Sequence, residues 1–127
     1  MSSIEWALKD LDKPAKSISD LCLLSSSFDF TVCIWNCDEQ SNQWSVTSTL
    51  GAMSGNKHAY FGAQFLDGLN KDERTIFAYT YGGAVHIWGK SRDDKWTPKV
   101  TIKGHFAEVT DLDWDPTKQC LVSCSID

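Results

Sequence analysis

Apolar and polar residues alternate with period two over much of this chain, the pattern of strands with one buried face. Two such runs end alike, Thr31-Val32-Cys33-Ile34-Trp35 and Gly83-Ala84-Val85-His86-Ile87-Trp88, each closing on an Ile-Trp anchor. A second apolar run precedes each of them, Leu21-Cys22-Leu23-Leu24 and Thr75-Ile76-Phe77-Ala78-Tyr79. Short turns, Ser27–Phe30 and Gly82-Gly83, join the members of each pair, so both read as β-hairpins. Further strands are expected at Trp44–Leu50, Phe61–Phe65, Trp96–Ile102 and Val109–Trp114. The last is stopped by the turn signal Asp115-Pro116. Polar or Gly-rich stretches at Asp38–Gln43, Gly51–Lys57, Gly68–Arg74 and Gly89–Lys95 are the expected loops. Helix signal is confined to a weak one over Glu5–Leu11.

The pattern repeats. Leu121-Val122-Ser123-Cys124-Ser125-Ile126-Asp127 has the same order as Leu23-Leu24-Ser25-Ser26-Ser27-Phe28-Asp29: apolar, apolar, Ser, X, Ser, X, Asp. In the first copy Trp35 follows Asp29, whereas the later copy ends the sequence at its Asp. With Gly104-His105 and Asp115-Pro116 ahead of it, this order resembles the WD repeat of β-propellers. The resemblance implies an all-β chain of WD-repeat β-propeller blades, about three four-stranded antiparallel units with the last truncated. The expected division is a partial blade over 1–36, a second blade with long loops over 37–89, and a truncated third over 90–127. The interval from Trp35 to Trp88 exceeds the ~40–50 residues of a usual blade, which is why the middle unit needs a longer loop. So short an array cannot close a ring of at least roughly four blades, and association or partial unfolding is expected of the isolated polypeptide.

In WD repeats a His, a Ser or Thr, a turn Asp and a Trp satisfy one another's buried hydrogen-bonding groups, each orphan otherwise costing about 1–3 kcal/mol. By position, the third unit supplies His105, Ser123 or Ser125, and Asp127, with no Trp. The first supplies Ser25 or Ser27, Asp29 and Trp35, with no clear Gly-His ahead of it. The middle unit keeps Trp88 but has Gly82 where the Asp would sit, and Lys57-His58 substitutes poorly for Gly-His. Trp35-Asn36 and Trp88-Gly89 also lack the Asp that names the repeat. Trp35 and Trp88, closing alternating strands, are expected to be more buried than Trp96, which follows a charged loop.

Composition narrows the function. The formal net charge is −5, spread over both halves, so the basic footprint for phosphates is missing and no direct nucleic-acid contact is expected. No apolar run approaches the ~20 residues of a membrane span, and the N-terminus is not a secretory signal. Five cysteines, an odd count, read as reduced thiols of a cytoplasmic or nuclear protein. Cys33/Cys37 and Cys120/Cys124 are too widely spaced for zinc knuckles and lack nearby His ligands, so no metal or cofactor is expected. His105, a serine and Asp127 have the residue types of a hydrolytic triad, but no nucleophile elbow accompanies them and a locked turn is the stronger reading. His86 alternates within a strand and reads as a cross-strand partner, and His58 as a solvated loop residue.

A closer resemblance comes from Ser27-Phe28-Asp29 with Ile34-Trp35, Tyr60-Phe61-Gly62-Ala63-Gln64-Phe65, Tyr81-Gly82-Gly83-Ala84-Val85-His86-Ile87-Trp88, Trp96-Thr97-Pro98 and Gly104-His105-Phe106. This order resembles the family of Elongator second subunits over about residues 21–127, and the first twenty residues fit less well. That family is built from two seven-bladed propellers on a longer chain. The resemblance implies a non-enzymatic scaffold that holds the Elongator catalytic subunit and the large scaffold subunit while the complex modifies wobble uridines in tRNA. The alternative is a WD-repeat adaptor of another intracellular protein assembly.

Overall fold

The computed structural model describes residues 1–51, 58–67 and 73–127. Among them are ten strands and one short 3-10 turn, Ile18–Asp20. The strands are β1 (Ser3–Leu8), β2 (Leu21–Ser26), β3 (Val32–Cys37), β4 (Trp44–Leu50), β5 (Tyr60–Phe65), β6 (Thr75–Thr80), β7 (Ala84–Lys90), β8 (Trp96–Lys103), β9 (Val109–Asp115) and β10 (Cys120–Ser125). They form three antiparallel sheets in chain order: β1-β2-β3-β4, β5-β6-β7-β8, and the pair β9-β10. The chain is thus all-β over the described residues, with two four-stranded antiparallel sheets followed by a two-stranded pair. Both Ile-Trp dipeptides mark a shift of register against the outer strand, between Ile34 and Trp35 in β3 and between Ile87 and Trp88 in β7. A bulge at the same point of two sheets twists each strand end alike.

The period-two pattern decides which neighbour each face meets. In β6, Ile76 and Ala78 join Cys22, Leu24, Val32, Ile34 and Tyr60 in the core between the first two sheets. Phe77, between them in sequence, packs the other way with Leu66, Val85 and Leu112. The middle sheet is covered on both faces, so Thr75–Ala78 is buried at four consecutive positions. The β9-β10 pair is covered on one, and only Val109 and Leu112 of its residues are buried.

Three expectations differ from the structure. Glu5–Leu11 holds no helix: its first residues belong to β1, and the alternation there is inverted, with Ile4 and Trp6 outward and Glu5 facing the second sheet. Trp6 instead meets Trp44 edge-on at 5.6 Å. The divisions at 36/37 and 89/90 cut β3 and β7 near their ends, because each fourth strand pairs back onto its own sheet. Trp88 is 3% exposed, whereas Trp35 and Trp96 are both half-buried, because Trp96 packs against the core between the sheets. The expected loops Gly51–Lys57 and Gly68–Arg74, and Lys57 with them, lie largely outside the described residues.

Candidate functional site

The polar residues singled out by the repeat gather at the turn ends of the sheets. In the third unit, His105 precedes β9 and its Nε2 pairs with Ser123 Oγ at 2.8 Å. Its Nδ1 faces the Asp127 carboxylate at 3.2 and 3.3 Å. The Phe106 N–H donates to Asp127 at 2.7 Å, and the Asp127 N–H donates to Ser125 Oγ at 3.2 Å. The Phe106 amide, first, and His105 hold the Asp127 carboxyl below the usual carboxylate range.

The first unit repeats part of this. The Asp29 N–H donates to Ser27 Oγ at 3.3 Å, the counterpart of the Asp127–Ser125 contact. Ser25, the counterpart of Ser123, is buried and accepts from Trp35 Nε1 at 2.9 Å. Asp29 turns to Thr31, accepting from its hydroxyl at 2.6 Å and its N–H at 3.1 Å, and those bonds lower its pKa. Asp29 and Trp35 therefore sit in separate hydrogen-bonded groups, the first with Ser27 and Thr31 and the second with Ser25. In the middle unit, Trp88 stacks on His86 and meets Tyr60 edge-on. The fully buried Thr80 closes the β6-β7 turn, donating to the Ala84 carbonyl at 3.0 Å and accepting from its N–H at 3.2 Å. Thr80 thus does for the backbone what the absent Asp would do. His58 is exposed, with its ring against Gly82. His86 pairs with Thr101 Oγ1 across the strands at 3.2 Å.

Chemically, hydroxyl, imidazole and carboxylate stand in the order of a proton relay. Ser123 nevertheless lies within β10, paired opposite Leu112, rather than on a sharp turn that would expose a nucleophile. The shortest contact of Asp127 goes to a backbone amide, as in a cap that fixes a turn. Among the described residues no three His, Cys, Asp or Glu are grouped to hold a metal. No helix among them is long and apolar enough to cross a membrane.

One polar group escaped the sequence pattern. Glu5 on β1 accepts from the Phe65 N–H across the gap between the sheets, and burial raises its pKa. Arg74 lies over the Phe65 ring at 3.9 Å and donates to the Lys9 carbonyl at 3.3 Å, with Nε 3.5 Å from Asp67. No motif places these residues; only the apolar face left outward by Ile4 and Trp6 hints at an inward Glu5.

Against known proteins, the family described as WD domain, G-beta repeat matches residues 8–36 and 96–127. Elongator complex protein 2 of Homo sapiens is 36% identical over 107 residues, covering 83% of this chain and 12% of that protein. The protein of the same name from Danio rerio is 34% identical over 107 residues, 84% of this chain and 12% of its own length. That from Dictyostelium discoideum is 33% identical over 129 residues, 98% of this chain and 14% of its own. The chain therefore spans 12% to 14% of the length of these relatives.

Proposed function

We propose that this chain, a WD-repeat protein similar to Elongator complex protein 2 over most of its length, is a non-catalytic scaffold of the Elongator complex. The observation that carries the reading is the 36% identity over 107 residues, which extends beyond the repeat matches into the middle sheet. The geometry is in keeping with it: the His105, Ser123 and Asp127 side chains close a turn. On this reading the chain contacts the Elongator catalytic subunit and the large scaffold subunit, and supports modification of tRNA wobble uridines whose chemistry resides in the other chain. It works in the cytoplasm or nucleus, where its five thiols stay reduced. Co-purification of the tagged protein from cells tests this. Recovery of both Elongator subunits is expected, and recovery of a different assembly without them would replace the reading with that of a general WD-repeat adaptor.

A further inference from the structure

Aromatic side chains crowd the same turn ends. Phe28 and Phe30 flank Asp29 in the β2-β3 turn, Phe61 lies at the start of β5, Tyr81 in the β6-β7 turn, and Phe106 before β9. Phe28 and Tyr81 are each 54% exposed and Phe106 is 98% exposed. The rings touch in a row: Phe28 meets Phe61 edge-on at 5.6 Å from one sheet to the next, and Phe61 stacks on Tyr81 at 5.7 Å within the middle sheet. A contiguous row of rings, with Phe28 and Tyr81 exposed and Phe61 half-buried between them, is an apolar patch of the kind found at interfaces.

Carboxylates stand among these rings. Glu108 lies beside the Tyr81 hydroxyl and raises its pKa. Asp29 and Asp127 are both held below the usual carboxylate range and are ionised at neutral pH. Among the described residues, the cations near this end include Lys103, beside the turn through its pairing with Ala84, and the Met1 amino group, whose charge also acts on Asp29. A planar guanidinium can lie on the Tyr81 face while it pairs with Glu108, a combination of ring and carboxylate that suits arginine better than lysine. Phe28 and Phe30 then offer an apolar surface to a neighbouring side chain. Nucleic acid could also stack on such rings, but its phosphates would meet three carboxylates.

We infer that the Phe28–Phe61–Tyr81 row, with Glu108, docks a partner polypeptide that presents an arginine next to an apolar side chain. The inference rests on the scaffold reading above and names the chemistry of one contact. Calorimetric titration of the purified intact protein tests it, with three probes: a capped hexapeptide of alternating arginine and leucine, its glutamate–leucine counterpart, and oligouridine. The arginine peptide should bind about tenfold more tightly than the other two, and Tyr81→Ala should cost about tenfold of that affinity. Glu108→Gln should narrow the preference over the glutamate peptide. Both side chains lie at the surface of turns, and circular dichroism checks that the variants keep their strands. Absence of arginine-peptide binding, equal or tighter binding of either other probe, or indifference to Tyr81→Ala would overturn it. Co-purification separates the two failures: a wild-type protein that recovers the Elongator subunits but ignores the arginine peptide leaves the scaffold reading intact and removes this one.

Discussion

The β6-β7 hairpin lacks the aspartate and the histidine that attend the β9-β10 hairpin, yet it is much the better buried. It is held by packing: Ile76 and Ala78 face one neighbour, Phe77 the other, and Thr80 alone closes the turn. In β9-β10 only Val109 and Leu112 are buried, and the turn is held by His105, Ser123 and Asp127 at the surface. Polar residues of a repeat can therefore be lost where both faces of a sheet are covered. They matter most where apolar contact is thin.

The contrast can be broken by substitution. Trp88→Ala should have the largest effect, about 3–5 kcal/mol off the unfolding free energy in a denaturant melt. Trp96→Ala should cost less, because that ring is only half-buried. Equal losses would dissolve the claim that the middle sheet is held by its buried faces. Gly83→Ala comes next. Its φ is +79°, and a Cβ there would stand 2.5 Å from the His105 carbonyl oxygen and 2.8 Å from that of Ala107. A loss of about 1–3 kcal/mol is expected, and a neutral result would mean that the turn shifts freely.

His86 sharpens the comparison by pH. Burial first, then Lys103 and His58, lowers its pKa below the usual 6.5. The folded state thus resists a proton that the unfolded chain accepts, so stability is full above the unfolded pKa and falls as pH drops toward the folded one. Thermal melts at about pH 7.5 and 5.5 should show a fall that His86→Phe reduces. A variant with the same fall would clear His86 of the effect.

The smallest effect is expected at the surface network. Asp127→Asn should speed hydrogen exchange at the Phe106 amide while the global melt moves little. The depressed Asp127 pKa makes that protection present above the usual carboxylate range and lost as pH falls through the folded value. Ser123→Ala should leave ester hydrolysis at its background rate, and a fall in that rate would restore the catalytic reading of the three side chains.

Most strands from Leu21 onward were legible because apolar residues recur there at period two, and the doubly covered β6 because it reads as a continuous apolar run. β1 was not: Ile4 and Trp6 point outward and Glu5 inward, so its alternation carries the wrong sign for a buried strand. The serine and aspartate positions of the first and third units could be read from their shared order. Which Ser meets which partner could not, since Ser25 bonds Trp35 whereas Ser123 bonds His105. The role of Thr80 was hidden as well, because a threonine inside a strand looks like any other β-branched residue.

The seat of Gly83 against the backbone of His105 and Ala107 bears on modularity. A repeat array invites the view that one unit can be excised, duplicated or exchanged without regard to its neighbours. Here the turn of one sheet is shaped around the connection that enters the next. A middle sheet grafted beside a foreign unit would carry a glycine whose reason had been left behind. Shuffling of these units should therefore succeed only where no seam falls between β8 and β9.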